Sequence, residues 1–383
     1  MQSSSELTMG VIGSSFKENE HRVPIHPKHF ESIDPALRRR IYLERGYGAR
    51  FGVPDEACAK HFAGLRSRDE LMASSDIVLL PKPTARDLPS FREGQIVWGW
   101  PHCVQGPAIT QTAIDKRLTL IAWEAMHKWR GDNWELHIFH INNELAGYCG
   151  VLHALQLRGL CGHYGPYLKA AVIGFGSVGR GAIHALHALG YHDVTLFTQR
   201  TGPTVSAPIP SLKHWRYQQV EAGQPETEVV LTRETMPMAR ALGHFDIVVA
   251  CALQDTDNPH MYVKTSEIDE LREGTLIVDV SCDEAMGFEF ARPTSFESPS
   301  FPVGDGRVTY YAVDHTPSYL WNSTSLHISK ALLPYIPTVM GGPAAWERDS
   351  TIARAIEIQD GVIKNPKILS FQRRAEAYPH AYL

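Results

Sequence analysis

At 383 residues the chain is too long for one ordinary core and suits two domains, and its net charge of -5 with no basic run excludes a nucleic-acid footprint. Hydrophobic residues make up 43% and charged residues 21%, the balance of a soluble globular protein, and no apolar window is long enough to span a membrane. The opening Met1-Gln2-Ser3-Ser4-Ser5-Glu6 has neither the basic nor the apolar region of a secretory signal. The six cysteines form no C-x-x-C pair and the 19 histidines no H-E-x-x-H spacing, so no disulfide framework and no metal site are expected, and cytoplasm is the expected compartment.

A short strand is expected at Met9–Ile12, followed by a polar loop with Lys17, Glu18, Glu20, His21 and Arg22, and by a helix beginning near Lys28. Tyr42–Glu44 reads as a second strand. Three continuous apolar runs follow: Ile77–Leu80 ending at Pro81-Lys82-Pro83, Gln95–Trp100 ending at Pro101-His102, and Leu118–Trp123. Such runs, separated by helical spacers, are the pattern of a parallel sheet buried on both faces. Leu145, Tyr148, Cys149 and Leu152 then recur at helical spacing behind Asn142 or Asn143, either of which could cap the helix.

The most specific motif is Gly174-Phe175-Gly176-Ser177-Val178-Gly179, between the apolar run Ala170–Ile173 and the helical stretch Ala182–Leu186. A G-x-G-x-x-G in this strand–turn–helix context predicts a dinucleotide-binding βαβ unit, with the pyrophosphate at the helix N-terminus. The next strand, Val194–Phe197, is followed by Thr198-Gln199-Arg200 where an NAD enzyme usually carries the Asp or Glu that holds the ribose 2′-OH. With no carboxylate to repel a 2′-phosphate and an arginine to bind one, NADP(H) is the expected cofactor, with NAD(H) as the alternative. Thr201–His244 is long for the connection between neighbouring strands and reads as a surface insertion that could also cover part of the cofactor site. Further strands are expected at Ile247–Ala250 and Leu276–Val280, and a helix at about Leu326–Tyr335.

The fold class that follows is α/β, with two Rossmann-like doubly wound domains and a cleft between them. A cofactor domain, 138–317, is inserted into a discontinuous catalytic domain, 1–137 and 318–383. Lys82, His102 and Asp283 each follow a buried strand, and ligands of open α/β sheets bind beyond the carboxyl ends of strands. Lysine and arginine there suit a substrate carboxylate, and histidine suits proton transfer. Taken singly these residues also have ordinary readings: Arg22 as a surface ion-pair member, Lys82 as a solvated loop residue, His102 as a structural histidine, Asp283 as a helix cap.

Read together they resemble a known family. Lys17-Glu18-Asn19-Glu20-His21-Arg22-Val23-Pro24-Ile25-His26-Pro27 is similar to the K-x-x-E-x-R-V-x-x-x-P opening of the alanine dehydrogenase, transhydrogenase and saccharopine dehydrogenase superfamily. Asp76–Pro83 and Gly94–His102 resemble its strands ending in the substrate lysine and the catalytic histidine. Within that superfamily the N5-(carboxyethyl)ornithine synthases are resembled at Phe197–Arg200, Leu253-Gln254-Asp255-Thr256, Val278–Asp283, Val313–Ser318 and Leu332–Ile336.

The resemblance implies that Arg22 and Lys82 hold a 2-oxo acid, that His102 is the general acid–base, and that Asp283 is the carboxylate near the nicotinamide. It implies cofactor contacts at Gly174, Gly176, Ser177, Val178, Gly179, Thr198, Arg200 and Leu253. The activity implied is NADPH-dependent reductive condensation of a 2-oxo acid such as pyruvate with the amine of ornithine or lysine, in a homo-oligomer with small-molecule partners only. Alanine dehydrogenase or saccharopine-type chemistry is the enzymatic alternative, and an NADP(H)-sensing regulator the non-enzymatic one. Two departures stand out: Asn143 where the superfamily usually has a serine, four residues before the glycine of the connecting helix, and the long Thr201–His244 segment.

Overall fold

The computed structural model describes residues 6–200, 209–232, 234–255 and 258–383. The chain divides into two compact units, Met1–His140 with Trp321–Leu383, and Ile141–Leu320.

The first unit is built on β1 (Met9–Val11), β2 (Ile41–Glu44), β3 (Gly64–Arg66), β4 (Ile77–Leu79), β5 (Ile96–Gly99) and β6 (Thr119–Ala122). These pair in parallel in the order β6-β5-β4-β1-β2-β3, and Ile356–Gln359 and Val362–Ile363 add two antiparallel strands beyond β6. The direction of winding reverses between β1 and β4. That is the switch point at which such sheets open a crevice at their carboxyl ends. Every residue of β4, β5 and β6 is buried, as the unbroken apolar runs require when both sheet faces are covered. One face packs on Trp98, Trp123, Phe139 and Ile328, the other on Val97, Leu120, Ile114 and Ile368. An antiparallel hairpin, β7 (His127–Arg130) with β8 (Asn133–His137), follows β6.

The second unit carries β9 (Ala170–Ile173), β10 (Val194–Thr198), β11 (Lys213–Gln219), β12 (Thr227–Val230), β13 (Thr235–Pro237), β14 (Ile247–Ala250), β15 (Met261–Val263), β16 (Thr275–Asp279), β17 (Gly287–Phe288), β18 (Ser300–Val303) and β19 (Val308–Tyr311). Nine of these form one sheet in the order β13-β12-β11-β10-β9-β14-β16-β19-β18, with a parallel centre from β11 to β19 and antiparallel strands at both edges. The expected surface insertion is corrected here. Of the segment Thr201–His244, residues 201–208 lie outside the described set, but β11 pairs in parallel with β10, and β12 and β13 widen the sheet. Polar, punctuated sequence hid these strands because they form a sheet margin with alternating exposure, not a buried run. Asn142 and Asn143 also depart from expectation: the helix runs His140–Leu157, so both lie inside it and not at its cap.

Two helices of this unit meet through glycines. A methyl group on Gly147 would stand 1.9 Å from Val178 O, and one on Gly181 only 1.8 Å from Glu144 O. The helix His140–Leu157 and the helix Ser177–Ala188 therefore touch backbone to backbone. Gly181→Ala should force them apart and destabilise the fold by about 1–3 kcal/mol, the usual cost of overpacking. Thermal unfolding should show a midpoint lower by several degrees, and an unchanged midpoint would refute the contact.

Candidate active site

In the first unit, the loops after β4 and β5 are locked side by side. Leu80 N donates to Trp98 O (3.1 Å) and Trp100 N to Pro81 O (2.8 Å), while a methyl on Gly99 would lie 1.9 Å from Leu80 O. The two loops therefore leave the sheet edge together, one with Lys82 and the other with His102. The Lys82 loop is pinned further on by buried Asp87, which accepts from Thr84 N and Oγ1 and pairs with Arg68. His102 adopts a left-handed backbone, φ 49°, and half of its side chain is exposed.

Arg22 is buried, with its guanidinium on Glu20: Nε donates to Oε1 at 2.8 Å and Nη2 to Oε2 at 2.5 Å. The same Glu20 oxygen, Oε1, accepts from Arg22 N, so one carboxylate fixes both backbone and side chain. The guanidinium lies 5.0 Å from the centre of the Trp100 ring, which is itself T-packed on Trp123. The preceding turn is held by Glu44 at the end of β2, which accepts from Gly13 N, Ser14 N and Ser14 Oγ. Arg22 is therefore not a surface ion-pair member. It is a buried cation held by a carboxylate and an aromatic face.

A residue the sequence reading passed over, Glu124, joins this group. It lies two residues past the end of β6, and Oε1 accepts from His102 N at 2.7 Å and lies 3.9 Å from His102 Nδ1. Its Oε2 is buried without a hydrogen-bond partner. Burial and the nearby Glu357 push the Glu124 carboxyl up to about 8, against the opposing pull of the His102 N–H and of Lys82. The same rule that singled out Lys82 and His102 (a polar residue just past a buried parallel strand) would have found it. Behind it, His137 sits against the Glu124 carbonyl (Nε2···O 3.1 Å), and burial lowers its pKa to about 4, so it is neutral.

In the second unit, the glycine motif joins β9 to the helix Ser177–Ala188. Gly174 has φ 96°, and a methyl there would lie 2.9 Å from Ala252 N, so the turn needs glycine for both conformation and space. Gly179 would meet Gly174 O at 2.1 Å, the close strand–helix packing that the third glycine of such motifs serves. A methyl on Gly176 meets nothing within 4 Å. That open space over the helix N-terminus, which Ser177 and Val178 begin, fits a pyrophosphate. Thr198 is buried and its Oγ1 accepts from Arg200 N at 3.2 Å, while the Arg200 side chain is exposed and Leu253 is 96% exposed. Thr256, in the motif that begins at Leu253, lies outside the described residues.

Asp283 follows β16 on a loop shaped by Asp279. The buried Asp279 carboxylate accepts from Ser281 N, Cys282 N and Tyr310 OH, and Cys282 takes φ 58°. Burial raises the pKa of Asp283, and that of Asp279 to about 6. Lys82, His102, Glu124 and Arg22 thus belong to the first unit, and the glycine turn, Arg200 and Asp283 to the second. Among the described residues no group of three or more His, Cys, Asp or Glu is placed to hold a metal ion, and no helix is long and apolar enough to cross a membrane.

Comparison with known proteins agrees with this architecture. Residues 12–146 match the family model for the alanine dehydrogenase/PNT N-terminal domain, and residues 166–366 that for the alanine dehydrogenase/PNT C-terminal domain. The N(5)-(carboxyethyl)ornithine synthase of Clostridium botulinum is 24% identical over 337 residues, covering 83% of this chain and 90% of that protein. The alanine dehydrogenase of Mycobacterium tuberculosis is 24% identical over 374 residues, covering 93% and 95%. Among solved structures, an L-alanine dehydrogenase superposes with a TM-score of 0.74 at 20% identity, covering 95% of this chain and 99% of its own. A transhydrogenase from Sinorhizobium meliloti superposes with 0.70, also at 20%, covering 93% and 99%. Fold and relatives indicate an NAD(P)-dependent oxidoreductase with two Rossmann-like domains. The chain belongs to the alanine dehydrogenase/PNT family.

Two measurements check the site. Gly176→Ala should leave the unfolding midpoint unchanged, because its methyl meets no protein atom, while weakening nicotinamide dinucleotide binding at least tenfold in a fluorescence titration. For Glu124 the sign follows from proton linkage. Between the ordinary glutamate value near 4.5 and about 8, the folded chain holds a proton that the unfolded chain has lost, so this group costs stability as pH rises through that window and no more above it. Melting curves of Glu124→Gln should therefore gain on the wild type from pH 5 to pH 8 and run parallel from there. A constant offset across the range would contradict the raised pKa.

Proposed function

We propose that the chain catalyses an NADPH-dependent, opine-type reductive condensation, joining a 2-oxo acid, pyruvate by preference, to the side-chain amine of an amino acid such as ornithine or lysine. The observation that carries the reading is the grouping of Lys82 and His102 with Glu124 at the carboxyl end of one parallel sheet that also seats the buried Arg22. The relatives named N(5)-(carboxyethyl)ornithine synthase support the opine-type assignment. The lack of any carboxylate directly after β10, with Arg200 there instead, supports the phosphorylated cofactor.

In this mechanism Arg22 pairs with the oxo-acid carboxylate. Glu20 and Trp100 hold the guanidinium in place, so little ordering remains to be done when substrate arrives. Lys82 donates a hydrogen bond to the keto oxygen and polarises the carbonyl for attack by the neutral amine. The amine nitrogen bonds to the carbonyl carbon, and His102 transfers protons to the former keto oxygen until it leaves as water and the imine remains. The glycine turn Gly174–Gly179 and Arg200 would hold the cofactor, which when bound would supply a hydride for the imine carbon, while the imine nitrogen, protonated from His102, becomes the secondary amine. Glu124, accepting from His102 N, holds the histidine's backbone. While protonated it adds no negative charge beside the imidazole.

The test is oxidation of NADPH and NADH with pyruvate or 2-oxoglutarate, each paired with ammonia, ornithine or lysine. NADPH turnover is expected with pyruvate and a diamine, and His102→Ala and Lys82→Ala should each lose at least a hundredfold in kcat/KM. Turnover with ammonia alone would replace this reading with an alanine dehydrogenase, and tight NADPH binding without turnover in any pairing would point to a sensor.

A further inference from the structure

Beside the end of β10 the second unit contains a hollow of about 320 Å³, bounded by Gln199, by the outer half of β11 and by the segment leading into β15. Its wall carries an arginine, a histidine, a tyrosine and four side-chain amides, and no carboxylate among the described residues. Arg216 stands in register with Thr198, the last residue of β10, so the strand added beside β10 sets a second arginine near Arg200. His260 faces Gln199, Nε2 to Nε2 at 2.5 Å, and its Nδ1 is buried with no hydrogen-bond partner. Tyr217 packs edge-on against that imidazole, with centroids 5.6 Å apart. Gln219 and Asn258 bond to each other across the rim, and Glu228, outside the wall, accepts from Gln218.

We propose that this hollow receives the 2′-phosphate of the cofactor's adenosine, with Arg216 as the residue that sets preference for the phosphorylated dinucleotide and Gln199, held by His260, as a further contact. A ribose 2′-hydroxyl is recognised by a carboxylate that accepts its hydrogen bond. A guanidinium and side-chain amide N–H groups offer donors instead and suit a dianion with three acceptor oxygens. The polar segment after β10 thereby gains a purpose: it brings a strand with an arginine at its middle alongside the end of β10. The inference rests on the NADPH reading above and names the residue through which it acts.

Calorimetric titration with adenosine 2′,5′-bisphosphate and with 5′-AMP separates the possibilities without turnover. The wild type is expected to bind the bisphosphate more tightly. Arg216→Ala should lose about 10- to 100-fold in affinity for it, the scale of one charge-assisted contact, and less than about twofold for 5′-AMP. Arg216→Lys should recover part of the loss. Since 5′-AMP reports the folded nucleotide site in the same sample, a variant that simply misfolds loses both ligands, and equal losses overturn the proposal. A wild type that prefers the bisphosphate together with an Arg216→Ala variant that keeps the preference also overturns it, while leaving the NADPH reading intact. A wild type with no preference sinks the NADPH reading itself.

Discussion

The contact between the ends of β4 and β5 is the constraint on which the carboxyl end of the first unit's sheet depends. Parallel strands set their carboxyl ends level, but that alone leaves their loops free to diverge. Here Trp100 N bonds to Pro81 O and Gly99 lies against Leu80 O with no room for a side chain, so the loops stay adjacent for two further residues. Lys82 and His102 emerge from that shared segment. The Arg68–Asp87 pair then holds the far side of the first loop, and the Glu124 carboxylate takes His102 N on the second. The polar groups are thus positioned by backbone bonding and buried charge, not by side-chain packing.

Charge is distributed unevenly in this part of the chain, and the unevenness has a chemical sense. Glu20 and Arg22 neutralise each other in a buried pair, and removing one partner of such a pair costs about 3–5 kcal/mol because the other is left uncompensated. That cost keeps the guanidinium from wandering. Glu124 has no comparable cation bound to it directly, so burial and Glu357 keep its proton on. A protonated Glu124 places no anion of its own beside the His102 imidazole. The two carboxylates therefore serve opposite ends, one clamping a charge and the other avoiding one.

The fold was legible in the sequence where burial is symmetrical. The runs Ile77–Leu80, Gln95–Trp100, Leu118–Trp123 and Ile247–Ala250 are apolar throughout because both faces of those strands are covered, and each is a strand. The glycine motif was legible because three of its positions exclude or leave room for specific atoms. β11 to β13 were not legible, since a sheet margin alternates exposed and buried positions and its charged residues resemble a loop. Glu124 went unnoticed for a different reason. Its sequence neighbours Trp123 and Ala125 carry no motif, and its raised pKa comes first from burial and then from Glu357, which is remote in sequence and reaches it only through the fold.

Asp279 and Asp283 make the last case for reading such sites by environment. Both are acids four residues apart at the end of one strand, of which the sequence singles out only Asp283. Asp279 is fully enclosed, and its carboxylate accepts from two backbone N–H groups and the Tyr310 hydroxyl. Those bonds engage both of its oxygens and turn the chain through the left-handed conformation at Cys282, whose thiol in turn bonds to the carbonyls of Asp279 and Ala312. Asp283, only partly buried, is carried out by that turn with its carboxyl not committed to shaping it. One acid makes the loop, and the other is what the loop presents.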